Sequence, residues 1–133
     1  MTAASLELQE AVFAALAGDA ALTSALGGPR FHDVAPAATG FPYITFGRAT
    51  VYDWSTASEA GSEHFFTLDV WSKHKGRREA LALMELVRAA IHDRALTLAG
   101  HRLANLRMES AQVSFEAKLG AYRGRLHFRA AVE

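Results

Sequence analysis

The sequence contains no cysteine, which excludes a disulfide framework and every thiolate metal site. That fits a reducing compartment. No stretch approaches the ~20 uninterrupted apolar residues of a spanning helix, and the N-terminus has no basic segment leading into an apolar one. The expectation is a soluble intracellular protein without a membrane partner. An excess of charge is missing too: 14 Lys and Arg balance 14 Asp and Glu, which argues against a surface given over entirely to nucleic acid.

Catalytic signatures are equally absent. The glycines at Gly27 and Gly28 do not follow a strand, and neither GxGxxG nor Gly-Lys-Ser/Thr follows them. The six histidines form no HExxH and no i, i+4 pair, and GxSxG does not occur, leaving Ser55 and Ser62 with no base suggested by the sequence. Asp33, Asp53 and Asp69 are candidate carboxylates, but catalytic meaning in such a pair comes from its separation and unequal pKa values. Asp69, on an extended segment, is expected to pair with a cation on a neighbouring strand. No catalytic residue, cofactor or metal ligand is therefore assigned, and the chain is not read as an enzyme.

What is present is a chain of 133 residues, half of them apolar, with eight phenylalanines and two tryptophans. Its length suits one domain over residues 1–133, able to bury roughly two-thirds of the surface the unfolded chain exposes. The organising stretch is Glu63 to Ile91. Phe66, Leu68 and Val70 alternate with Phe65, Thr67, Asp69 and Trp71, the period of a strand. After the polar break Ser72 to Gly76 the period changes: Ala80, Leu83, Val87 and Ile91 recur at helical spacing, with Met84 and Ala90 widening the stripe.

Before this unit, Leu8, Val12, Phe13 and Leu16 mark a helix over Ser5 to Ala17, ended by Gly18. Asp19 caps a second, short helix stopped by Gly27, Gly28 and Pro29. Arg30 to Ala35 reads as extended, and Pro36 to Pro42 as a loop. Tyr43 to Arg48 alternates as a strand. Ala49 to Ser62, rich in Ser, Thr, Gly and Ala, reads as a long loop around Tyr52 and Trp54. His92 to Thr97 should close the long helix. Arg102 to Phe115 has strand spacing that slips near Ala104 and again near Ala111, as bulges would cause. Tyr122 to Val132 alternates without error. The fold class expected is α+β: a mostly antiparallel sheet of about four strands, packed against the long helix and the N-terminal helix.

Two surface features stand out. Arg123, Arg125, His127 and Arg129 form a basic row on one face of the last strand, suited to a solvated face, a protein interface or phosphate contacts, although no stacking aromatics interleave it. Tyr52 and Trp54 either fold back on their own domain or anchor a partner. Charge is also uneven along the chain. Arg30 and Arg48 are the only basic residues among the first 66, which carry seven acidic ones.

LTSALGG, FHDVAP, FPYITFG, a loop holding DWST, GSEHFFTLDVWS, a GRREA-led helix and a closing YRGRLHFRA strand resemble the tail-completion, or tail-terminator, family of long-tailed phages, prophages and phage-like gene transfer agents. The resemblance spans Leu6 to Glu133. It implies a structural protein that forms a hexameric ring at the head-proximal end of the tail tube, stops tube polymerisation and docks the neck. The partners implied are copies of itself, the tail tube protein and a neck or stopper protein, with DNA only as cargo through the channel. The place implied is the host cytoplasm during assembly and the particle afterwards. The DWST residues Asp53, Trp54, Ser55 and Thr56 match the family pattern, and with Tyr52 and the basic row they are the candidate interface residues. The alternatives are another neck component, such as a stopper or connector, and a small α+β ligand-binding module.

Overall fold

The computed structural model describes residues 3–35 and 39–133; part of the expected Pro36 to Pro42 loop, 36–38, lies outside them. Helix α1 (Ala4–Ala17) ends at Gly18, and α2 (Ala20–Leu26) follows at once. Asp19 caps α2 by accepting the Leu22 N–H at 2.9 Å. At its other end Gly27 takes a left-handed φ of 81°, and Gly28 N–H returns to the Thr23 carbonyl at 2.8 Å. This closure meets orphan carbonyls that water would otherwise have to meet.

Among the described residues five strands make one sheet in the order β1-β2-β3-β5-β4: β1 (Phe31–His32), β2 (Tyr43–Asp53), β3 (Ser62–Ser72), β4 (Leu103–Glu116) and β5 (Ala121–Val132). Only β1 pairs in parallel; every other neighbour is antiparallel. The long helix α3 (Arg78–Ile91) carries the chain from β3 to the far edge, and β5 returns into the gap between β3 and β4. All three helices contribute to a core with one side of this sheet. Leu8, Val12 and Leu16 of α1, Leu22 and Leu26 of α2, and Leu83, Val87 and Ile91 of α3 meet Leu68, Val70, Leu126 and Phe128. Burying each such side chain is worth about 1.5–3 kcal/mol. Contact is close enough at Gly124 that a Cβ there would lie 2.4 Å from Met84 Sδ, so α3 rests directly on the β5 backbone.

The α+β class stands, with three expectations corrected. The sheet has five strands, because Phe31 and His32 add to the β2 edge where only an extended segment was expected. The expected loop from Ala49 to Ser62 is instead mostly hairpin. Strand β2 continues to Asp53, and β3 begins at Ser62. A bulge between Phe46 and Ala49 inverts the side-chain phase, so the alternation that identified Tyr43 to Arg48 does not carry through to Thr50 and Tyr52. The helix also stops sooner than expected, with His92 already extended at its C-cap. The slips in β4 are real and fall between Leu103 and Asn105 and between Met108 and Ser110.

Candidate assembly surface

The helices cover one side of the sheet and leave the other side open. Glu63, Phe65, Thr67, Asp69 and Trp71 of β3 alternate onto that open side, in register with the odd-numbered residues of β5. The basic row projects here, as its periodicity required. It is not a bare positive stripe. Arg125 stands directly opposite Asp69, and its Nε and Nη2 donate to the two carboxylate oxygens at 2.8 and 3.0 Å. Arg129 donates to Glu63 Oε2 at 2.6 Å, with its guanidinium 5.9 Å above the Phe65 ring. Arg123 reaches Glu116 at 2.9 Å and lies 5.8 Å from the Trp71 ring. Hydrogen bonding to Asp69 and to Glu63 raises the already high pKa of Arg125 and Arg129. His127 sits opposite Thr67, whose hydroxyl is buried without a hydrogen-bond partner among the described residues.

Such cross-strand pairs, bidentate at Arg125–Asp69, are short-range and geometrically specific. Because each arginine of the row has its own carboxylate, the open face presents paired charge rather than net positive potential. Sequence reading anticipated a cation for Asp69. It missed Glu63, Phe65 and Glu116, since nothing in a linear sequence shows which acids lie one strand away.

The Tyr52 to Thr56 segment closes the β2–β3 hairpin, and its polar atoms are spent on its own shape. Asp53 Oδ1 accepts the Ser55 N–H at 2.8 Å, and the Ser55 side chain and backbone hold the Asp53 carboxyl below its usual pKa. Gly61 N–H donates to Ser55 Oγ at 3.1 Å, and Glu59 N–H to Thr56 Oγ1 at 3.1 Å. The Trp54 ring lies so close to Gly61 that a Cβ at that position would sit 2.0 Å from Cζ3. Tyr52 meets Phe65 edge-on at 5.8 Å. Tyr52 and Trp54 nonetheless remain 59% and 42% exposed. Hairpin and row therefore form one continuous surface, joined through Phe65, which contacts both Tyr52 and Arg129.

A second polar cluster lies beneath the helices. Glu7 is buried, its Oε1 accepting the Gly100 N–H at 2.7 Å and lying 3.1 Å from His101 Nδ1. The Gly100 bond, then His101, hold its carboxyl below the usual range. Nearby His64 is buried and paired with Ser62 Oγ at 2.8 Å; burial, then His101, lower its pKa. This cluster fastens α1 to the segment leading into β4. Among the described residues no group of three His, Asp or Glu is arranged to hold a metal ion, and no helix is long and apolar enough to cross a membrane.

Residues 10–133 match the family described as Tail completion protein gp17. The chain belongs to this family. A structural protein of a phage-type tail follows from that membership. Among solved structures, a chain of the "Virion of native gene transfer agent (GTA) particle" is similar at 31% identity and a TM-score of 0.90, over 100% of this chain and 99% of that one. No curated protein matches significantly. The fold of the tail completion protein is thus shared, over the whole of this chain, with a virion component.

Proposed function

We propose that this tail completion protein assembles as a ring, six copies in the family pattern, at the head-proximal end of a phage-like tail tube. It ends tube polymerisation there and presents its outer rim to a neck or stopper protein. It works without catalysis. The host cytoplasm is the place of assembly and the finished particle the destination, with DNA passing through the ring as cargo. The observation that most supports this reading is the end-to-end likeness to a gene transfer agent virion chain. A ring also needs each copy to offer two unlike surfaces to its neighbours, and the two edges of this sheet, β1 beside β2 at one and β4 at the other, are unlike.

The self-paired row bears on which role the open face plays. A DNA-facing wall would gain from unpaired cations, whereas paired arginines and half-exposed aromatics suit contact with protein. The experiment is native mass measurement and electron microscopy of the protein, with and without tail tube protein. Rings that cap one end of the tubes and halt their growth are expected. Particles that bind only at the head, or a protein that remains single in both conditions, would overturn the proposal. Arg129→Glu, which leaves the Asp69–Arg125 pair in place, is expected to perturb assembly in a protein that circular dichroism and melting show to be folded; intact rings and normal tails from it would remove this end of the row from the interface.

A further inference from the structure

The two edges of the sheet carry free backbone groups, and these occur in matching sets. On β4, the Leu106 carbonyl accepts from Asp93 N–H at 2.8 Å and Met108 N–H donates to His92 Nδ1 at 2.9 Å, so these two residues point away from β5 and are covered. The bulge between Met108 and Ser110 then shifts the alternation by one. Ala111, Val113 and Phe115 become the outward residues, and no partner meets their backbone groups among the described residues. On β2, Ile44 N–H donates outward to Arg30 at 3.0 Å, under the cover of β1. The bulge between Phe46 and Ala49 shifts the phase there as well, leaving Ala49, Val51 and Asp53 outward and equally unmet. Three free residues thus stand on one edge and three on the other.

Their side chains agree with each other too. All six project to the helix side of the sheet; Val113 packs partly against the core, while Val51 and Phe115 remain 45% and 56% exposed. Strands β2 and β4 run in opposite directions, so a copy placed edge to edge continues the antiparallel ladder. The register that uses all six residues sets Val51 against Val113, Ala49 against Phe115 and Asp53 against Ala111. On the open side it sets Arg48, which has no acidic partner among the described residues, beside Glu116, a carboxylate already held by Arg123 at 2.9 Å. A long, uncovered strand edge is a template for pairing, and this one is matched in number, direction and face by the opposite edge of the same chain.

We infer that the β4 edge of one copy, from Ala111 to Phe115, pairs with the β2 edge of the next, from Ala49 to Asp53, and that this head-to-tail strand addition is the joint of the ring. The inference rests on the ring proposed above and names its contact. The free segments lie toward opposite ends of the sheet, so neighbours are staggered, as strands must be when a sheet closes on itself.

The absence of native cysteine makes the test direct. Thr50 and Ser114 fall opposite one another in this register as a pair that does not share backbone hydrogen bonds, with Cα atoms about 4.5 Å apart, within reach of a disulfide. Inside one chain they lie three strand spacings apart across the sheet, roughly 14 Å, and six residues apart along it, which is too far to bridge. Oxidising Thr50→Cys/Ser114→Cys protein after assembly on tail tubes should give a ladder of covalent multimers, absent in either single variant. In parallel, Val113→Pro removes an outward N–H without touching the β4–β5 ladder, so the expected result is a folded protein, by circular dichroism and thermal melting, that has lost the ring. Wild-type rings with no ladder, and rings retained by folded Val113→Pro, overturn the edge joint while leaving the ring in place. A wild-type protein that never forms rings with tube protein overturns both.

Discussion

Asp69 and Arg125 face each other directly across β3 and β5, joined by two hydrogen bonds, with Asp69 only 4% exposed. Asp69 could not be held there alone, because a buried carboxylate without a cation forfeits its hydration for nothing. Arg125→Ala is therefore expected to cost about 2–4 kcal/mol, toward the lower end because the guanidinium is partly wet. Urea unfolding checks this. Replacing both partners, Asp69→Leu with Arg125→Met, should recover most of the loss, since the orphaned charge is then gone. A single variant that unfolds at the wild-type urea concentration would show that the pair contributes nothing.

Gly61 and Trp54 make a second linked pair. With no side chain at Gly61, the indole lies flat on the hairpin; a methyl group there collides with the ring. Gly61→Ala should expel Trp54 toward water and shift tryptophan emission to longer wavelength, at a stability cost of about 1–3 kcal/mol. The same substitution in a Trp54→Phe background isolates the Trp71 signal, which should stay unchanged.

Acid should weaken the fold in two stages. His64 has a folded pKa below its ordinary 6.5, so the unfolded chain binds a proton more readily. Stability is full above about 6.5 and is lost as pH falls toward the folded value. Glu7, held below its ordinary 4.5, adds stability that is lost only below that pH, as it protonates. The melting temperature should therefore decline from pH 7 to 5.5, and His64→Asn should flatten that stretch while leaving the steeper loss below pH 4.5. An equal slope in both proteins would rule out His64 as its source.

Phe128 and Phe66 stack across β5 and β3 with centroids 5.4 Å apart, both buried against the helices. Phe128→Ala should cost about 3–5 kcal/mol in denaturant unfolding. Phe115→Ala, on the uncovered end of β4, should change monomer stability by no more than about 0.5 kcal/mol. Any larger effect of Phe115→Ala should appear in assembly.

Much of this architecture was legible in the order of residues. Period two through Phe66, Leu68 and Val70, period 3.6 through Ala80, Leu83, Val87 and Ile91, the Asp19 cap and the Gly27 stop are local, so the sequence sufficed for β3, α3 and the ends of α2. It also put Arg123, Arg125, His127 and Arg129 on one side of β5, because alternation is a property of a single strand. The far half of β2 was hidden because one bulge residue inverts the pattern that reading by alternation relies on. The carboxylates that pair the arginines, Glu63, Asp69 and Glu116, are separated from them by between seven and 66 residues in the chain, and nothing local ties them together. Side-chain faces follow from torsion angles that each residue settles with its immediate neighbours. Strand order, register and the position of each bulge depend on contacts between distant segments, and these alone decided that the basic row is neutralised at home and that the sheet keeps two matching edges open.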